Sequence, residues 1–166
     1  MSVLAEIATA AGPSLAPYAV PEPGPERFGG RLGERRFVME AVYEGYLLHY
    51  GRPRLFAPPD GDVAILLGDA LLAHGLVRIA ETGSLAAVAD LAELLSLCAQ
   101  ARGDGLDGDG AAWAATSALL GRGGLDDARA ALRDARDPAP LERLARATVG
   151  DDPVDGALAA HAARLV

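Results

Sequence analysis

From Val63 to Ala80 the chain is almost unbroken hydrocarbon, interrupted only by Asp69, His74 and Arg78. About twenty residues of helix span roughly 30 Å, enough to cross either a bilayer or a domain of this size. A membrane span rarely tolerates three ionisable groups, so the segment is expected to be a helix buried in a bundle. Apolar residues cover nearly its whole circumference, which predicts the central helix of that bundle. Gly68 and Gly75 lie on one face and predict the close approach of a neighbouring helix.

The remaining residues have to supply the helices that surround it. Of 166 residues, 51% are apolar and 23% charged, a composition that excludes a disordered tail, a disulfide scaffold and a collagen-like fibre. Ala and Leu are strong helix formers and β-branched residues are scarce, so the expected fold class is all-α, a helical bundle. The 20 Gly and 11 Pro punctuate it. A helix over 2–11 stops at Gly12-Pro13. The segment Pro13–Gly33, carrying Pro17, Pro21, Pro23 and Pro25, reads as an extended linker lying over the surface. Residues 1–33 are thus an N-terminal helix and linker, and 34–166 a single all-helical domain.

Within that domain, 34–50 is expected to be helical and to end at Gly51-Arg52-Pro53. Asp60 or Asp62 caps the long apolar helix, Gly83-Ser84 separates it from a second one running to Arg102, and shorter helices follow at 111–120, 125–135, 138–149 and 153–165. Asp137-Pro138 and Asp152-Pro153 each place a capping residue before a proline at the first helical position. The Gly29-Gly30-Arg31-Leu32-Gly33 cluster follows no strand and carries no dinucleotide fingerprint.

The 15 basic residues, all Arg, are outnumbered by 23 acidic ones, giving a net charge of −8. No basic stripe is present, which argues against nucleic acid. Cys98 is the only cysteine and sits in an apolar run, as core filler in a reducing cytosol. The start Met1-Ser2-Val3-Leu4-Ala5-Glu6 lacks a basic n-region, so neither a secretory signal nor a transmembrane segment is expected, and the location read from sequence is cytoplasmic.

Two stretches carry a resemblance. Gly51-Arg52-Pro53-Arg54-Leu55-Phe56 is similar to an Arg-Arg-Gly-x-Pro loop, and Ala64-Ile65-Leu66-Leu67-Gly68-Asp69-Ala70-Leu71-Leu72-Ala73 to a Gly-Asp-x-Leu helix. In that order and spacing they resemble the trans-isoprenyl diphosphate synthases, the all-helical polyprenyl synthetase family. Leu95–Gln100 falls where that family often has a Gly-Gln pair, and Ala128–Val149 is similar to its C-terminal helices. The resemblance covers about Val38 to Gln100 and implies part of the isoprenoid synthase fold.

The family's metal-binding Asp-Asp-x-x-Asp motif corresponds here to Glu40-Ala41-Val42-Tyr43-Glu44, and its two arginines before the glycine to His49 and Tyr50. No second aspartate motif follows; Asp126-Asp127 is the candidate pair downstream, and it lacks the Phe-Gln context. Ionising an allylic diphosphate needs metal ions and cations to stabilise the departing pyrophosphate. The resemblance therefore implies a shortened, non-catalytic relative with no cofactor. Mg²⁺ would enter only if residual prenyltransferase chemistry survived on Glu40 and Glu44, which share one helix face.

The residues themselves leave several roles open. Glu40 and Glu44 are either a remnant carboxylate pair at a cavity or, more commonly for such spacing, a solvated helix face. Tyr43, Tyr46 and Tyr50 form one stripe, either core or the lining of an apolar isoprenoid pocket. Asp69, inside an apolar helix, needs a partner, and Arg52 or Arg54 are the expected ones, tying the helix to the 51–56 loop. His74 is read as a core histidine. Asp104, Asp107 and Asp109 fail the EF-hand template and read as a solvated loop. By the resemblance, Gly68, Leu72, Gly75, Leu76 and Ile79 form an interface for a homodimer or for a heterodimer with a full-length prenyl synthase. The function expected from sequence is thus a dimeric interaction or regulatory subunit, with an isoprenoid-binding protein as the alternative.

Overall fold

The computed structural model describes residues 2–28, 32–33 and 35–165, so the glycine cluster at 29–31 and the expected helix start at Glu34 lie outside the described residues. Eight α-helices are present among those described: α1 (Val3–Ala10), α2 (Arg35–Tyr50), α3 (Gly61–Glu81), α4 (Leu85–Gly103), α5 (Asp109–Leu119), α6 (Asp126–Ala135), α7 (Ala139–Val149) and α8 (Asp151–Ala162). The fold is an all-α helical bundle. It divides into two compact units, Met1–Thr82 with Arg164–Val166, and Gly83–Ala163. That boundary falls inside the stretch read from sequence as one domain, at Gly83, whose φ of +71° suits glycine.

In the first unit the helix ends follow local chemistry. Ser2 Oγ accepts from Ala5 N at 3.2 Å and Asp60 Oδ1 from Val63 N at 2.9 Å, so both are N-caps. α2 stops where Gly51 N donates to Leu47 O at 2.8 Å. A Cβ on Gly51 would lie 2.6 Å from the Arg164 carbonyl oxygen, which accepts from Arg52 N at 2.8 Å. Only glycine lets the C-terminal residues pass this closely. The proline-rich segment does not simply lie over a surface. After a 3₁₀ turn at Ala16–Tyr18 it pairs with the 54–57 loop, through Val20 N to Leu55 O and Ala57 N to Tyr18 O, both 2.8 Å.

The central helix is not the one the sequence singled out. Only 28% of the most apolar window of α3 is buried, and Ile65, Leu66 and Val77 are exposed. Every residue of α2 from Phe37 to Leu48 is buried instead, including Glu40 and Glu44. Apolarity alone did not identify the centre because α2 buries polar groups whose partners come from distant loops. α1 and α3 pack on α2, and Val3, Leu4, Ile7, Phe37, Ala41, Leu48, Leu55, Phe56, Leu67 and Leu71 form one core cluster.

The expected close approach is present, and its partner is α2. A Cβ on Gly45 would lie 2.9 Å from the Gly68 carbonyl oxygen, and one on Gly68 3.1 Å from that of Gly45, so the two backbones touch. A Cβ on Gly75 would collide with Val42 Cγ2. Gly68, Gly75 and Ile79 are therefore consumed inside the chain, which corrects their assignment to an intermolecular interface. Leu72 and Leu76 are half-buried at its edge.

The second unit is built around α5, buried from Asp109 to Thr116 with Trp113 fully enclosed. Ser84 caps α4 through Ala87 N at 3.3 Å, and Cys98 is buried core as expected. Asp137 Oδ1 accepts from Ala139 N at 3.0 Å at the start of α7. Asp152 does not cap α8, which begins one residue earlier, after Gly150 at φ +92°.

Filling the Gly75 position tests the α2–α3 seam. Gly75→Ala is expected to destabilise the chain by about 1–3 kcal/mol, overpacking against Val42 outweighing the roughly 1 kcal/mol gained in helix propensity. Urea unfolding should show Val42→Ala with Gly75→Ala less destabilised than the sum of the single changes.

Candidate functional site

Glu40 and Glu44 stand one turn apart on α2, and both side chains are 0% exposed. A buried carboxylate must be hydrogen-bonded and neutralised, and the fold answers both needs with two loops and one arginine. Glu40 Oε1 accepts from the backbone N–H of Arg27 at 2.6 Å and of Phe28 at 2.5 Å. Glu44 Oε1 accepts from Arg54 N at 2.7 Å and Leu55 N at 2.6 Å, with Phe56 N at 3.4 Å. Each carboxylate thus gathers the amides of one loop onto α2.

Arg54 joins the two. Its Nη1 donates to Glu40 Oε2 at 2.8 Å and its Nε to Glu44 Oε2 at 3.1 Å. Further bonds run from Nη1 to Pro25 O at 3.3 Å and from Nη2 to Glu40 O at 3.4 Å. The planar guanidinium suits such bridging, because its donors diverge in fixed directions toward two acceptors. Gly24 N donates to Arg54 O at 3.1 Å, and a Cβ on Gly24 would lie 3.3 Å from Arg54 Cβ, so the 24–28 segment lies directly on the arginine.

Tyr43 fills the space beside this clamp. The Arg27 guanidinium lies 4.3 Å and that of Arg54 4.9 Å from its ring centroid, and Phe28 meets it edge-on at 5.7 Å. Burial pushes the Tyr43 phenol above the usual tyrosine range, opposed by the charges of Arg27 and Arg54. Burial likewise lowers Arg27, with Tyr43 acting against the shift. Tyr43 and Tyr46 are both 1% exposed and stack with centroids 6.3 Å apart, and Tyr46 meets Tyr50 at 5.0 Å. Tyr43 and Tyr46 are core contacts, and Tyr50 is half-buried at the end of the stripe.

The structure brings Glu40, Glu44, Tyr43 and Arg54 together and places the other expected site residues elsewhere. The expectation of a solvated face for Glu40 and Glu44 is corrected, since no charge on α2 is more deeply buried. Arg54 is spent on these two carboxylates, so it does not meet Asp69. Asp69 is 66% exposed on α3, with His49 Nε2 at 3.1 Å from Oδ1. Arg52 contributes backbone, donating to Arg164 O, while Arg164 Nη1 donates to the carbonyls of Arg52 and Pro53 at 3.4 Å. His74 sits against the Phe37 ring at 5.6 Å.

A magnesium ion at Glu40 and Glu44 does not fit this arrangement. Mg²⁺ requires oxygen ligands in an octahedral array, and here a guanidinium donates to one oxygen of each carboxylate while amides bind the others. Among the described residues no three His, Cys, Asp or Glu side chains come together as a ligand set.

Two buried ion pairs in the second unit went unseen in the sequence. Asp90 Oδ1 accepts from Arg129 Nη1 at 2.9 Å and Oδ2 from Gly121 N at 2.7 Å, fastening α6 and the preceding loop to α4. Asp109, read from sequence as part of a solvated loop, is buried. Its Oδ2 accepts from Arg102 Nη2 at 2.6 Å and lies 3.2 Å from His161 Nε2 on α8. An aspartate within an apolar helix was the available signal for Asp90; its partner, 39 residues away, gave none.

Comparison with family models, with curated proteins and with solved structures gives no match.

Two outcomes follow from the clamp. Glu44→Ala leaves Arg54 buried without one partner and is expected to cost about 3–5 kcal/mol in urea unfolding. Hydrogen exchange should then rise at 54–56, whereas Glu40→Ala should raise it at 27–28. For Tyr43, the raised folded-state pKa makes its contribution fully present below the unfolded value near 10 and lost as pH rises through the folded value. Stability of the wild type should therefore fall more steeply than that of Tyr43→Phe above about pH 10.

Proposed function

We propose that this chain is a non-catalytic interaction subunit, a shortened relative of the trans-isoprenyl diphosphate synthases that pairs with another helical protein in isoprenoid metabolism. Arg54 supports the loss of catalysis. It neutralises the two carboxylates at the positions corresponding to the family's metal-binding aspartates, and so converts them into fasteners for the 24–28 and 54–56 loops.

The observation that carries the pairing is the exposed side of α3. Ile65, Leu66 and Val77 are 50%, 66% and 58% exposed, on a helix whose opposite side is locked to α2. Large apolar side chains aligned on one helix face mark an interaction surface. That face is separate from the glycine side first expected to form the interface, and both Leu72 and Leu76 border it.

A photo-crosslinking residue placed at Val77 tests the pairing in the chain's own cells. The expected outcome is one discrete adduct with a second polypeptide, absent when the same residue replaces exposed Arg122. The purified chain with Mg²⁺ and an allylic diphosphate should release no pyrophosphate above background. No adduct, or turnover that Glu44→Ala abolishes, contradicts the proposal.

A further inference from the structure

The exposed face of α3 is apolar along its length, with one carboxylate at its middle and others at its two ends. Ile65, Asp69, Ala73 and Val77 follow one another at i+4 and are all exposed, forming a ridge of about 18 Å flanked by Leu66 and Ala80. Within the ridge Asp69 is the single charge; Asp62 joins it from the first turn, and Glu81 continues the row at the last residue of α3. Arg78 lies on another side of the helix, its guanidinium 4.9 Å from the Phe37 ring centroid and 3.9 Å from Glu81. The face therefore carries carboxylates and no cation.

Covering the ridge takes Asp69 out of water, which is costly unless a cation accompanies it. A second copy of the chain does not supply one through this face. A two-fold contact sets the same patch against itself, bringing carboxylates and hydrocarbon to each Asp69. The His49 ring of each copy is already seated between its own Asp69, at 3.1 Å, and Gly68, where a Cβ would lie 2.6 Å from Nε2. A bilayer adds no cation to the Asp69–His49 contact and would surround it with hydrocarbon.

Resting on the interaction reading above, we infer that the occupant is a helix of a different protein, apolar along one face with a single Arg or Lys at its centre. The cation pairs with Asp69, and a large apolar side chain next to it seats over Ala73, where the ridge is lowest. Arginine suits the position best, since its fork matches a carboxylate with two parallel hydrogen bonds.

The test is a displayed library of single-helix peptides, with apolar residues varied along one face and every residue type allowed at its centre. It is selected against the full chain, Asp69→Asn and Leu66→Gln, each checked for helical content by circular dichroism. The inference predicts at least tenfold enrichment of Arg and Lys at the central position on the wild-type chain, none on Asp69→Asn, and severalfold lower recovery of all peptides on Leu66→Gln. Enrichment of neutral residues on the wild type, or equal enrichment of Arg and Lys on Asp69→Asn, overturns the cation and leaves pairing through α3 standing. Recovery no better than on Leu66→Gln overturns both. Sedimentation as a dimer that Leu66→Gln dissociates assigns the face to a second copy. Flotation with phosphatidylcholine–phosphatidylglycerol vesicles that Leu66→Gln abolishes assigns it to a bilayer. Either result overturns the inference.

Discussion

Arg54, held between Glu40 and Glu44, is the interaction on which the first unit depends. α2 is enclosed from Phe37 to Leu48, and a helix enclosed on every side has no solvent in which to place two carboxylates. The fold resolves this by bringing solvent substitutes to them, four short backbone N–H donors and one guanidinium. The same bonds that satisfy the carboxylates dictate where the 24–28 and 54–56 loops run. Remove the cation and two buried negative charges remain one turn apart, a state that costs far more than any single surface ion pair contributes.

The chemistry of the site follows from that arrangement. Carboxylates that serve a metal need open coordination positions, and carboxylates that fasten loops need saturated ones. Glu40 and Glu44 are of the second kind. Tyr43, beside two guanidinium groups and Phe28, completes a buried polar core whose members are hydrogen-bonded or ion-paired to one another. α3 has its glycine side welded to α2, while Ile65, Leu66 and Val77 on its hydrocarbon side are exposed.

The helical fold was legible in the sequence because its signals are local. Asp60, one of the two candidates, and Ser84 cap the helices that follow them, and Gly51 ends α2. Gly68 and Gly75 announced a close helix contact correctly, but their spacing does not say with which helix. The identity of the central helix was not legible. α3 is richer in hydrocarbon, yet α2 is the enclosed one, because Arg54 and the loop amides that make its burial tolerable lie at least ten residues away in sequence. For the same reason Asp69 was given to Arg52 or Arg54, and Asp90 and Asp109 were left without the arginines that hold them.

The central claim is that the α2 carboxylates hold loops through Arg54 and leave no place for a metal. Paramagnetic broadening of backbone amide resonances by Mn²⁺, a Mg²⁺ mimic, tests it most directly. The account predicts that the amides of Arg27, Phe28, Arg54 and Leu55 remain sharp at millimolar Mn²⁺. Selective broadening of those four amides, abolished in Glu44→Ala, would contradict it.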